Sequence, residues 1–304
     1  MTSLSEPSDI ILAICIPAYR DNASDLIRAL SALPEASRCA LLLYDDGTGD
    51  PELAREHTDA LAVYPGPTRH EVAAENRGRS FARNWLVANA QSEWILLIDA
   101  DMRPDQPDFL EAYIAALRSA GGPALIAGGF SVDQANPAPD RRLHYAQSRK
   151  SDCVDAAVRQ SDPGRYVFSS NVLAHRAIFD SVAFDESFSG WGWEDVEWGL
   201  RVAHAFPVIH IDNTATHMGL ETDARLLEKF GNSGANFARL VQRHPDAGAR
   251  MPLLRAAQRV KGIPLLAPAA RTLAAARFLP APLRVMALKI YRAAAYAPFV
   301  EPAP

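Results

Sequence analysis

Apolar residues in this chain fall in short unbroken runs rather than in strict alternation with polar ones. Residues 10–16, 40–44 and 94–98 are such runs, each predicting a strand buried on both faces, as in a parallel sheet. Between them the period changes. Leu26, Ile27 and Leu30 make one face of a helix over 23–32, and Phe81, Trp85, Leu86 and Ala88 one over 80–89. A short helix at 51–57, a third strand at 61–64 and a polar loop over 66–76 complete the first half. Strand and helix alternate, which predicts βαβ units: an α/β fold with a mostly parallel central sheet flanked by helices.

The second half is less regular. A helix over 108–120 leads to a strand at 124–130, and 131–166 reads as polar and loop-rich. A strand at 167–172, a helix at 175–182 and an aromatic stretch at 184–193 follow. A helix starts at Glu194 with Val196, Leu200 and Ala203 on one face. A strand at 208–211 runs toward His217, and a helix over 222–243 stops at His244-Pro245.

Composition changes the picture in three places. Cys15, Cys39 and Cys153 are odd in number and lack metal-type spacing, so buried thiols in a reducing compartment are expected. The first ten residues carry no basic and long apolar segments of a signal peptide, and no stretch suits a transmembrane helix, so a cytoplasmic location is expected. The net charge of −5 hides an asymmetry: 247–300 holds nine bases and no acid, and setting these and Glu301 aside leaves −13 over 1–246. An acidic body speaks against nucleic acid as a partner. The predicted organisation is a catalytic domain over 1–246 and a basic amphipathic helical segment over 247–304. Pro264, Pro268, Pro280, Pro282 and Pro298 divide that segment. It fits either an anionic membrane surface, which would place the protein peripherally on the inner face of the plasma membrane, or a helical cap on the body.

Candidate chemistry lies at the strand ends. The 94–98 run closes in Asp99-Ala100-Asp101, and in extended chain the two carboxylates leave on one side, at the end of a strand where open α/β sheets bind ligands. Such a pair suits Mg²⁺ or Mn²⁺ sharing its shell with phosphate oxygens, although a bare D-x-D also fits an acidic turn. Asp45-Asp46 can accept the N3–H of a uracil flanked by Pro17 and Tyr19, or can form a turn before Gly47. Arg77, Arg79 and Arg83 can fork onto a diphosphate or remain solvated charges. In Gly190-Trp191-Gly192-Trp193-Glu194-Asp195 the tryptophans offer platforms for a sugar ring. The carboxylates at a helix start offer a base for an acceptor hydroxyl. No dinucleotide-type or P-loop glycine motif occurs.

Together these residues resemble glycosyltransferase family 2, the inverting GT-A nucleotide-sugar transferases. The resemblance covers roughly 8–245 through IPAYR (16–20), DDGTGD (45–50), NRGRSFARN (76–84), IDAD (98–101) and GWGWEDVEWGLR (190–201). The last string is also similar to the acceptor-side motif of β4-galactosyltransferases and chondroitin-type polymerases, and His217 matches the metal-binding histidine of those families. The resemblance implies a metal-dependent transfer from a nucleotide sugar, a UDP-sugar, to a glycan or lipid-linked acceptor. It implies that Asp45 and Asp46 hold uridine, that Asp99, Asp101 and His217 serve the donor and metal, that Asp195 is the base and that Glu194 contacts acceptor hydroxyls. Thr48-Gly49 departs from the usual Ser-Thr, and no Q-x-x-R-W string of processive synthases is present. Alternatives are a catalytically silent binding homologue and, less well matched, a sugar-1-phosphate nucleotidylyltransferase.

Overall fold

The computed structural model describes residues 10–301. Residues 1–9, most of the stretch expected to lack a signal sequence, and 302–304 lie outside it. In chain order the elements are β1 (Leu12–Ala18), α1 (Ser24–Ser31), β2 (Cys39–Asp45), α2 (Pro51–Leu61), β3 (Thr68–Val72), α3 (Arg79–Asn89), β4 (Trp94–Ile98) and β5 (Met102–Pro104). Next come α4 (Phe109–Ser119), β6 (Leu125–Ala127), β7 (Phe130–Ser131), α5 (Arg142–Ser151), α6 (Ala156–Arg159), β8 (Asn171–His175), α7 (Arg176–Ser181) and α8 (Glu194–Ala205). The chain ends with β9 (Val208–His210), β10 (Ala215–His217), α9 (Asp223–Asn232), α10 (Gly234–Arg243), α11 (Pro245–Arg250), α12 (Pro252–Val260), α13 (Leu266–Ala275) and α14 (Ala281–Tyr296).

Contacts divide the chain into two units. The first comprises 1–134, 154–186 and 198–219; the second comprises 135–153, 187–197 and 220–304. The first is built on a seven-stranded sheet of order β3-β2-β1-β4-β8-β6-β9, parallel except where β8 runs against β4 and β6. The unbroken apolar runs have a direct cause here. Leu12, Ile14 and Ile16 face one core with Leu41, Leu43, Leu96 and Ile98, against Leu26, Ile27 and Leu30 of α1. Ala13 and Cys15 face the other with Leu42, Ile95 and Leu97, against Ala82, Leu86 and Val87 of α3. Both faces of each strand are covered, so neither needs polar residues.

A second sheet in this unit is only three strands wide, β5-β10-β7, with β10 antiparallel to β5. Its register sets His217 opposite Met102.

The third strand lies elsewhere than the sequence suggests. Residues 61–64 are the end of α2 and the turn after it, with Leu61 and Tyr64 buried against the first core. The strand is Thr68–Val72, inside the expected polar loop; among the described residues it pairs only with β2, and its Arg69, His70 and Glu71 suit an edge. Residues 131–166 are also more ordered than their polarity implies, because α5 needs only Leu143 and Ala146 to engage a core.

The second unit is helical. Leu143 of α5, Leu226, Leu227 and Phe230 of α9, Ala274 of α13, and Val285 and Leu288 of α14 share a third core. Arg284, buried within it, pairs with Asp223 at 2.7 Å, and Arg277 reaches the same carboxylate at 3.3 Å. Some of the tail's bases therefore serve packing. Among the described residues no helix is long and apolar enough to cross a membrane.

Candidate functional site

Strand order in the larger sheet reverses direction between β1 and β4, and in open α/β sheets the crevice at the carboxyl ends of such strands is where ligands bind. The first unit's motif residues gather around those ends. Arg20, at φ 63°, turns the chain just beyond β1, and its N–H donates to Thr48 Oγ1 at 2.9 Å. This ties the loop after β1, with Pro17 half-buried and Tyr19 exposed, to the loop after β2.

Asp45 and Asp46 are both buried, but their partners differ. Asp46 accepts from the backbone N–H groups of Arg77 and Gly78 at 2.9 and 2.8 Å and from Asn76 Nδ2 at 2.9 Å. Its carboxylate thus organises the loop that leads into α3. Burial pushes its pKa up, with the two backbone donors pulling the other way. Asp45 Oδ1 accepts the N–H of Thr48 at 2.9 Å, whereas Oδ2 is buried with no hydrogen-bond partner among the described residues. Gly47, at φ 77°, permits the close approach: a Cβ there would collide with the backbone of Glu75 and Asn76.

After Ile98 the chain turns at Ala100-Asp101 instead of continuing extended, so the two aspartates part. Asp99 Oδ1 accepts from Arg83 Nη2 at 2.7 Å; Arg83 is 2% exposed, and its Nε and Nη1 have no partner among the described residues. Asp101 Oδ2 meets His217 Nε2 at 3.0 Å. The β5–β10 register produces that meeting, and the Met218 N–H to Asp101 carbonyl bond at 2.8 Å continues it. Burial works to raise the Asp101 carboxyl, but the neighbouring His217, through its charge and hydrogen bond, and Arg79 outweigh it and hold the group below its usual range. Gly219 is a residue the sequence reading missed. A Cβ there would overlap Asp101 Oδ2, so only glycine leaves the carboxylate in place. Its signal was present in the His217-Met218-Gly219 string.

The three arginines take separate positions. Arg77 lies over the Phe81 ring at 3.5 Å, Arg79 acts on Asp101 through its charge, and Arg83 is committed to Asp99. The fit to a divalent cation rests on the donor set. The Asp101 carboxylate oxygen and the His217 imidazole nitrogen, 3.0 Å apart, are two donors that would suit a divalent cation such as Mn²⁺ or Mg²⁺. Among the described residues no group of three or more such side chains occurs.

In the second unit, Gly190, Gly192 and Trp193 all have positive φ (77°, 94° and 80°), which makes 190–193 a tight, strained loop. Asn236 of α10 holds it by donating to the carbonyls of Ser189 and Gly192 at 3.0 and 3.1 Å. Trp191 stacks on Phe230 at 5.4 Å. Trp193 packs on Phe237 at 4.7 Å, donates to the Tyr296 hydroxyl at 3.2 Å and carries Arg292 4.8 Å from its ring. Both indoles are half-buried. The loop delivers Glu194 and Asp195 to the start of α8, where the helix dipole favours anions. Glu194 is buried and Asp195 half-buried, with Asp195 Oδ1 accepting the Val196 N–H at 2.9 Å. Glu197 is different in kind: 1% exposed, it faces Arg243 at 3.4 Å and His244 at 3.5 Å.

A crevice at a strand-order reversal, with acidic groups at the ends of β2 and β4, is the setting in which open α/β folds bind their ligands. The chain belongs to glycosyl transferase family 2, whose family model matches residues 13–181, more than half of its length. It has the GT-A arrangement: an α/β body on a mostly parallel sheet, with helices at the C-terminal end. Validoxylamine A glucosyltransferases from Streptomyces hygroscopicus subsp. jinggangensis (strain 5008) and subsp. limoneus are each 26% identical to it over 274 residues. The match covers 78% of this chain but only 61% and 57% of those proteins, so the chain spans about three-fifths of the length of these relatives. Among solved structures, the mannosyltransferase PcManGT of Pyrobaculum calidifontis, in complex with GDP-Man and Mn²⁺, superimposes with a TM-score of 0.55 at 15% identity, covering 96% of this chain and 90% of that one. TarS of S. aureus gives a TM-score of 0.54 at 12% identity over 93% and 54% of the two chains. Its 1–349 portion in complex with UDP gives 0.50 at 11% identity over 95% and 90%. At such identities these likenesses speak to fold.

Proposed function

We propose that this protein is a metal-dependent inverting glycosyltransferase that moves a hexosyl or N-acetylhexosaminyl group from a nucleotide sugar, a UDP-sugar, to a hydroxyl of a saccharide or lipid-linked acceptor. The observation that carries the reading is the Asp101–His217 pair at the carboxyl end of β4, beside the point where strand order reverses. Cell-surface polysaccharide synthesis, with the enzyme peripheral to the inner face of the plasma membrane, is the setting that suits such an acceptor.

In this reading Asp45 Oδ2 accepts the uracil N3–H, with Pro17 and Tyr19 beside the base; its buried, unmatched state supports the assignment. Asp46 holds the 76–78 loop in place. Asp101 and His217 would hold the metal, Asp99 lies behind them fixing Arg83, and Arg77 and Arg79 would meet the diphosphate. When bound there, Mn²⁺ or Mg²⁺ would supply positive charge to offset that building on the departing diphosphate. Asp195 takes the proton of the acceptor hydroxyl while that oxygen bonds the anomeric carbon and the bond to the diphosphate breaks, leaving the nucleoside diphosphate and an inverted linkage. Glu194 binds neighbouring acceptor hydroxyls, and Trp191 and Trp193 carry the apolar side of the sugar.

A panel of nucleotide sugars assayed for hydrolysis with and without Mn²⁺ tests the reading. Metal-dependent release of UDP from one donor is the expected result. No turnover of any donor, with nucleotide binding intact, would identify a silent homologue; turnover unaffected by EDTA would remove the metal.

A further inference from the structure

Large apolar side chains left exposed are unevenly placed. Of the 13 that are exposed among the described residues, eight fall between Ile263 and Phe299. They concentrate on the hairpin of α13 and α14. Phe278 sits in the turn between the two helices with 86% of its surface exposed. Leu283, Met286 and Ile290 are exposed at 57, 55 and 38%, and their i, i+3, i+7 spacing puts them on one stripe of α14. The opposite face of α14, with Val285, Leu288 and Tyr296, is buried in its own unit. A helix apolar on both faces needs a second apolar partner beyond its own core. Contiguous exposed apolar surface of this kind marks an interaction site.

Charge identifies the partner. Arg271 of α13 and Lys289 of α14 are exposed on the same hairpin, and no acid occurs from residue 247 to 300. Beside the hairpin Arg142, Arg149 and Lys150 of α5 are exposed, at an open and mainly apolar cleft of about 480 Å³ that they line with Pro137, Tyr145, Ala146 and Ala281. A second copy meeting this face about a two-fold axis would set bases against bases. An anionic lipid surface satisfies both halves of the pattern. Apolar side chains enter the acyl boundary, and long basic side chains keep their charges at headgroup level.

We propose that the α13–α14 hairpin docks on anionic bilayers, with Phe278, Leu283 and Met286 entering the interface and the exposed bases of α5, Arg142, Arg149 and Lys150, meeting lipid phosphates. This deepens the proposed function only in giving the enzyme access to a lipid-linked acceptor. Vesicle binding is measured without donor or metal, so its failure leaves glycosyl transfer standing.

The test is flotation of the full chain with phosphatidylcholine vesicles, with and without phosphatidylglycerol. Binding is expected only when phosphatidylglycerol is present and should fall as salt rises. Phe278→Glu with Met286→Glu, both at exposed positions, should lower partitioning by about a hundredfold or more, the scale of withdrawing two such side chains from an apolar phase. Arg142→Gln, Arg149→Gln and Lys150→Gln together should lower it by roughly fivefold per base at most. Donor hydrolysis in solution should be unchanged in the first variant, which also reports its folding. A parent that ignores phosphatidylglycerol vesicles, or a Phe278→Glu/Met286→Glu variant that binds as the parent does, overturns the proposal. Conversion of a dimer to monomers by that variant would overturn it too, by assigning the face to a second copy.

Discussion

Asp46 spends its carboxylate on three donors of the loop before α3, while the adjacent Asp45 keeps one oxygen unmatched among the described residues. Asparagine at each position separates structure from binding. Asp46→Asn replaces one acceptor oxygen with a donor that faces backbone N–H groups, and should cost about 1–3 kcal/mol of stability in thermal or denaturant melts. Asp45→Asn should melt nearly as the parent does and bind UDP at least tenfold more weakly, because an amide nitrogen cannot accept the uracil proton. At β4, Asp101→Ala and His217→Ala should each weaken metal-dependent UDP binding, read by titration, while leaving the fold intact. If metal titrations of His217→Ala and parent coincide, the histidine is structural. Asp195 and Glu197, two residues apart, should answer in opposite ways. Asp195→Asn should cut turnover by roughly 10²–10⁴-fold with donor binding retained. Glu197→Gln removes a buried partner of Arg243 and His244, and should lower the melting temperature while turnover survives. The reverse pattern would move the base to Glu197.

At the scale of elements, the sequence displays what a buried sheet makes obvious and hides what a sheet edge or a helix with a narrow apolar stripe requires. β1, β2 and β4 could be read because covered faces demand unbroken apolar runs, and α3 because its stripe is wide. β3 escaped because an edge strand with one neighbour can be written in Arg, His and Glu. α5 escaped because Leu143 and Ala146 suffice to dock it. The expected carboxylate pair was legible as residues but not as geometry. A turn at Ala100 sends Asp99 to Arg83 and Asp101 to His217, the outcome that the alternative reading of D-x-D as an acidic turn allowed. The burial of β1 and the start of β2 has a chemical readout. Burial pushes the thiols of Cys15 and Cys39 up to about 12, so neither is nucleophilic near neutral pH. A thiol reagent at pH 8 should label the native protein at Cys153, which is half-buried, and all three cysteines only after denaturation. Rapid native labelling at Cys15 would show that the sheet opens.

For the molecule as a whole, histidines set the acid limit. Burial lowers the pKa values of His57, His70 and His210; His70 beside His57 and Arg159 beside His210 lower them further. The unfolded chain takes up these protons near the ordinary imidazole value of 6.5, while the folded chain does not. Stability should therefore be level above about pH 7, fall as pH drops through 6.5, and level again once the folded-state values are passed. Melting temperatures measured from pH 8 to pH 5 check this; a flat profile would mean that these rings protonate without loss of packing.

The three-residue strand β10 has a consequence for the order in which the protein comes into being. Asp101 and His217 are 116 residues apart and meet only because β10 pairs with β5. Closing so long a stretch of chain costs entropy before it returns any contact, so pairings of this kind form late. A nascent chain that has reached residue 181, where the family match ends, already holds β1, β2 and β4, yet it lacks the histidine. The β1, β2 and β4 side of the crevice can thus be built well before Asp101 meets His217. Chain length itself therefore keeps an incomplete protein from assembling the Asp101–His217 pair ahead of time.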